Sequence, residues 1–169
     1  IVDIPEGVYS VEIEGIDSDG NAYYEGSFAG EASVSEGLET DLQPAINLQL
    51  KNALILLNWE FKNGKLCTTN GVSHVEVNAF DTTLYRVYMK TFECDPFDDP
   101  VLTADKGILI EDLRGNDDLT FDLFGVDETQ ARLFRGTSVI HTTPGGLDGT
   151  TPQDLLVALE QCVVPADCL

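Results

Sequence analysis

Two histidines, four cysteines and thirty acidic residues are the side chains of this 169-residue chain from which chemistry could be built. A Ser or Cys nucleophile needs a His base and an acid to orient it. His74 follows Ser73 in the alternating stretch Val72-Ser73-His74-Val75-Glu76-Val77. Adjacent residues on a strand point to opposite faces, so these two are expected not to pair. His141 closes a strand beside Thr142 and Thr143. Both histidines read as sheet-surface residues. No G-x-S-x-G elbow and no G-x-x-x-x-G-K-[ST] phosphate loop occurs. Paired carboxylates could serve glycoside hydrolysis, but among 30 acids pairs arise by number alone and single out no site. The chain is therefore expected not to be an enzyme.

Calcium is the best small-ligand case. Asp17-Ser18-Asp19-Gly20-Asn21 starts like a calcium loop, with oxygen ligands from Asp17, Asp19 and Asn21 at alternating positions, but lacks the later bidentate Glu. It also has the composition of a hairpin turn. Asp95-Pro96-Phe97-Asp98-Asp99-Pro100 gathers Asp95, Asp98 and Asp99 in a short loop, where like charges repel unless a cation or water screens them. Tyr23-Tyr24 and Tyr85-x-x-Tyr88 are candidates for a sugar platform, whereas Trp59 shares a strand face with Ile55, Leu57 and Phe61 and reads as core.

Cys67, Cys94, Cys162 and Cys168 form no CxxC pair, and with two histidines they support a zinc site poorly. An even count in a strand-rich chain reads as two disulfides in an oxidising compartment. Proximity favours Cys67–Cys94 and Cys162–Cys168, with the other two connectivities open. Nine Lys and Arg against 30 Asp and Glu give a net charge of −21. That charge repels nucleic-acid backbones and anionic membranes. The longest apolar run, Ala53-Leu54-Ile55-Leu56-Leu57, is too short to cross a bilayer as a helix. The opening Ile1-Val2-Asp3-Ile4, without methionine, suits a processed product or a fragment.

The elements that must carry these residues are strands. Val8-Tyr9-Ser10-Val11-Glu12-Ile13-Glu14 and Leu119-Thr120-Phe121-Asp122-Leu123 alternate strictly, the pattern of half-buried antiparallel sheets. Asp19-Gly20-Asn21, Asn63-Gly64 and Gly145-Gly146 punctuate them as turns. Strands are expected near 53–61, 72–80, 83–93, 107–113, 117–126, 130–135, 137–142 and 154–159.

A shift of 110 residues brings Tyr9, Val11, Ile13, Gly15, Ile16 and Asp17 onto Leu119, Phe121, Leu123, Gly125, Val126 and Asp127. It also brings Tyr23, Tyr24 and Gly26 onto Leu133, Phe134 and Gly136. With a slip to 109, Leu48 and Leu50 fall on Val157 and Leu159. The expectation is an all-β, antiparallel immunoglobulin-like β-sandwich: one complete module over 53–169, with a C-terminal disulfide tail, preceded by a half-module over 1–52. Half a sandwich cannot bury its apolar face alone. Its other half must come from sequence outside this chain, from packing onto the complete module, or from another molecule by β-strand addition.

Leu57-Asn58-Trp59-x-Phe61, Cys67, Gly71-Val72-x-x-Val75-x-Val77, Phe92-x-Cys94 and the paired Gly-Ile/Val-Asp hairpin resemble repeated immunoglobulin-like modules. Such modules occur in secreted and outer-membrane lipoproteins of myxobacteria and related bacteria. Pro5-Glu6-Gly7-Val8-Tyr9-x-Val11-x-Ile13-x-Gly15 is similar to the strand of prealbumin-like and carboxypeptidase-regulatory-like surface domains. The second copy departs from it, with Arg114-Gly115-Asn116-Asp117-Asp118 in place of Pro-Glu-Gly-Val-Tyr. The resemblance implies a Cys67–Cys94 bridge within the module. The function expected is a non-catalytic extracellular structural or adhesive protein that self-associates or binds other surface proteins, as a filament subunit built by strand addition. The alternative is a calcium-dependent glycan- or protein-binding surface module.

Overall fold

The computed structural model describes residues 4–38, 45–94, 107–164 and 168. Among the described residues the structure is all-β apart from one short helix, and the chain divides into two units, Ile1–Lys51 and Asn52–Leu169. Asp95, Asp98 and Asp99 lie outside the described residues.

The first unit holds β1 (Gly7–Tyr9), β2 (Glu12–Ile16), β3 (Ala22–Ser27), β4 (Ala32–Val34) and β5 (Gln49–Leu50). β2, β3 and β5 form one sheet in that order, and β1 pairs with β4. The strand expected over Val8–Glu14 is thus split at Ser10 and Val11, because its two ends take different partners. Among the described residues of this unit Ala32 alone is buried.

The second unit holds β6 (Asn52–Phe61), α1 (Cys67–Asn70), β7 (His74–Phe80), β8 (Arg86–Glu93), β9 (Ile108–Arg114), β10 (Asp118–Val126), β11 (Arg132–His141) and β12 (Gln153–Gln161). Its strand order is β8-β7-β10-β11-β12-β6-β9. β11 and β12 join over only two pairs, Phe134↔Gln161 and Arg135↔Glu160, so the sheet can fold over into two faces. Alternation then sends one side of each strand inward. Ile55, Leu57, Trp59 and Phe61 of β6, Leu155, Val157 and Leu159 of β12, and Val75 and Val77 of β7 meet Leu119, Phe121 and Leu123 of β10 in a single core. Phe61 and Phe134 pack edge to face, with ring centres 4.8 Å apart. Of the three connectivities open in the sequence, the structure holds Cys67–Cys94 and Cys162–Cys168, with Cα atoms 5.8 and 5.9 Å apart.

Three expectations change. With β6 to β12 lettered A to G, the order is C-B-E-F followed by G-A-D, and the last strand runs parallel to the first. Immunoglobulin constant-type sandwiches run A-B-E-D and C-F-G. Period-two patterning fixes which face of a strand is buried, and leaves open which neighbour it takes. Residues 130–135 and 137–142 are one strand rather than two. Gly136 does not break it; a Cβ there would meet the Ala158 carbonyl oxygen at 2.5 Å, so glycine lets β12 pass close by. Finally, the expected offset of 109 for Leu50 does not hold: with Tyr24 set on Phe134, the register sets Leu50 on Gln161, an offset of 111. Tyr24 pairs with Leu50 and Phe134 with Gln161. A Cβ on Gly26 would meet the Asn47 oxygen at 2.8 Å, the counterpart of Gly136 against Ala158.

The two hairpins agree closely in geometry. Register shifts fall between Gly15 and Ile16 and between Gly125 and Val126. Asp17 Oδ1 accepts the backbone N–H groups of Asp19 and Asn21; Asp127 Oδ1 accepts those of Thr129 and Ala131. The matching turn positions, Gly20 and Gln130, both have positive φ, at 91° and 69°. In unit 2, Cys162 N–H donates to the Leu133 carbonyl, and in unit 1 Lys51 N–H donates to that of Tyr23.

Candidate functional site

Ser73 and His74 do meet, contrary to the expectation from alternation: Ser73 Oγ lies 2.9 Å from His74 Nδ1. The reason is local. β7 begins at His74, so Ser73 stands before the strand and is not bound by its alternation. Ser73 Oγ also donates to the Val126 carbonyl at 3.1 Å. Ser73 lines an open cleft of about 710 Å³ with Glu93 and Asp127. Asp127 Oδ1 is already held by two backbone N–H groups and the Thr129 hydroxyl, so it is committed to its turn rather than free to orient an imidazole. His141 Nδ1 lies 2.8 Å from Asp118 Oδ1 in an exposed surface pair. The buried Thr142 hydroxyl accepts the Asp117 N–H and sits 3.0 Å from the Arg114 and Asp117 carbonyls, which ties the β9–β10 connection to the end of β11.

Of the acidic candidates, Asp17 closes its turn with its own side chain. Asp17 Oδ2 accepts Asn21 Nδ2 at 3.1 Å, while Oδ1 faces two backbone N–H groups. Hydrogen bonds from the Asn21 backbone hold the Asp17 carboxyl below its ordinary range. The same device recurs at three other turns. The Thr83 hydroxyl lowers Asp81, the Ala131 N–H lowers Asp127, and the Thr151 N–H holds Asp148 far below the usual carboxylate range. Among the described residues, no group of three or more His, Cys, Asp or Glu side chains is arranged to hold a metal ion.

Of the aromatic candidates, Tyr23 is half-buried and Tyr24 exposed on β3. Tyr88 is buried and Tyr85 exposed. Trp59 is buried as expected, and its Nε1–H donates to the Cys94 carbonyl at 3.2 Å. Phe124, on the outer face of β10, is covered by the Arg132 guanidinium at 3.8 Å, which also binds Glu76 Oε2 through Nε and Nη2 at 3.0 and 2.8 Å. This network was not anticipated. Its signal was the adjacent pair Leu123-Phe124, which breaks the polar side of the alternation.

The feature with the clearest consequence is the difference in burial between the two matching hairpins. Phe134, Leu123 and Leu159 are 0–3% exposed, whereas their counterparts Tyr24, Ile13 and Leu48 are 46%, 40% and 45% exposed. β10 is paired on both sides, to β7 over Thr120↔Phe80 through Val126↔His74 and to β11. Its counterpart β2 is an edge strand, bonded to β3 alone among the described strands. No helix among the described residues is long and apolar enough to cross a membrane. Compared with known proteins, the chain matches no family model, no curated protein and no solved structure.

Proposed function

We propose that this chain is a non-catalytic extracellular structural protein, a surface filament subunit whose first unit is the second half of a sandwich module completed by strands from another molecule. The observation that carries this reading is that β2 is bonded to β3 alone among the described strands and its Ile13 is 40% exposed, where the geometrically matching β10 is central and buried. Matching turns, register shifts and glycine approaches support a duplicated module, and unit 2 displays the cover that unit 1 lacks. An exposed edge with an apolar face is a template for strand addition. The two disulfides support an oxidising compartment. Of the two family likenesses, the prealbumin-like one is preferred, since the strand order departs from the immunoglobulin constant type.

Ile13→Glu places a charge on that face of unit 1. Sedimentation should show oligomers for the parent chain and their loss in the variant, with the unfolding of unit 2 unchanged. Equal sedimentation of the two proteins at all concentrations would refute the reading.

A further inference from the structure

Beyond assembly, the second unit has a strand geometry with a consequence of its own. The chain enters it at Asn52, the start of β6, and the last strand leaves at Gln161, the end of β12. These two strands are hydrogen-bonded neighbours and run parallel, in register from Gln153↔Ile55 to Leu159↔Phe61. Parallel partners have their starts at the same side, so the entry and exit points lie at opposite ends of the ladder. Tension between them slides β6 along β12.

We propose that the β6–β12 ladder is a mechanical clamp that makes this module a force-bearing element. In this geometry the seven paired positions share the load together, and their bonds cannot open one at a time from an end. Sliding also drags buried side chains through a close-packed core: Ile55, Leu57, Val157 and Leu159 are fully enclosed. β6 is gripped on its other flank by β9, from Asn52↔Arg114 to Leu57↔Ile108. Both ends of the ladder are tied. Gly145 N–H donates to the Asn52 carbonyl at one end, and Lys62 N–H donates to the Leu159 carbonyl at the other, beside the Lys62–Glu160 ion pair. Cys162–Cys168 passes tension from the tail directly to the end of β12.

The purpose of such a clamp rests on the structural reading above; its geometry does not, and single chains test it without assembly. The full oxidised chain is stretched in a force spectrometer in two ways: through its termini, and through its N-terminus and a non-cysteine handle at the exposed Thr150, near the start of β12. The Thr150 pull loads the ladder at the Asn52 end and peels it. The termini should rupture unit 2 at a force at least twice that of the Thr150 pull. The release should span the stretch from Asn52 to Gln161 less the 27 residues locked by Cys67–Cys94. That is about 280 Å of chain at ~3.4 Å per residue, or a step of about 250 Å once the ~30 Å already spanned by the folded ladder is subtracted. After reduction the same step should lengthen by about 90 Å. Equal forces in the two geometries, or release through the termini in small steps at low force, would overturn the clamp. A strong clamp in a chain that never assembles would sink the filament reading alone; assembly with equal forces would sink the clamp alone.

Discussion

Removing the Cys67–Cys94 bridge is the perturbation whose size follows most directly from the structure. The bridge spans 27 residues, running from α1 through β7 to the end of β8, and both of its cysteines are buried. Closing a loop of that length in the unfolded chain lowers its entropy by an amount worth about 3.5 kcal/mol at 25 °C. The double variant Cys67→Ala/Cys94→Ala should therefore lose roughly 3 kcal/mol or more, and its midpoint should fall by on the order of 10 °C. The chain's one tryptophan is a suitable reporter, because Trp59 Nε1–H donates to the Cys94 carbonyl inside the core. Urea unfolding followed by Trp59 fluorescence gives the difference in free energy, and an unchanged m-value would place it in stability rather than in altered compactness. Cys162→Ala/Cys168→Ala serves as the comparison. That bridge spans six residues, and the same relation gives about 2 kcal/mol at most. A loss below about 1 kcal/mol in the Cys67→Ala/Cys94→Ala variant would refute the loop-closure reasoning.

Two further outcomes are expected. Gly136→Ala puts a Cβ 2.5 Å from the Ala158 carbonyl oxygen, and backbone must move to relieve it, so urea unfolding should show a loss of about 1–3 kcal/mol; Gly20→Ala meets no neighbour within 4 Å and should show only the cost of its positive φ. Asp148 is held ionised by the Thr151 N–H and the Thr150 and Thr151 hydroxyls, so its contribution is present above the unfolded value of 3.8 and is lost as pH falls. The gap in urea midpoint between the parent chain and Asp148→Asn should stay constant from pH 7 to about 5, begin to narrow near pH 4, and keep narrowing as pH falls toward the lowered folded value.

Much of the second unit was legible in sequence because alternation and composition agree there. The run from Ala53 to Phe61 sends five apolar side chains inward, and it forms β6 as read. Cys67–Cys94 and Cys162–Cys168 were the pairs favoured by proximity. Strand order was not legible, since Val157 and Leu159 would face a core beside either β6 or β11. Nor was the course of the chain at Gly136: a glycine in a strand pattern marks a turn or a close backbone approach, and only the neighbouring strand decides which. The Ser73–His74 contact escaped because the alternation rule was applied one residue beyond the start of β7. The Asp17 loop was ambiguous because a calcium loop and a hairpin turn draw on the same residues, Asp, Gly and Asn. The direction in which its oxygens point is a backbone property. In the first unit the pattern of Tyr9, Val11 and Ile13 specified an inward face; Tyr9 and Val11 are half-buried, Ile13 is exposed, and among the described residues of that unit Ala32 alone is buried.

Amide hydrogen exchange on the oxidised chain, measured across a range of protein concentrations, tests the central claim most directly. If β2 is completed by another molecule, exchange at Glu12–Ile16 should slow as concentration rises, while exchange in β6 and β10 stays slow throughout. Exchange at Glu12–Ile16 that is independent of concentration, whether fast or slow, would contradict completion by another molecule.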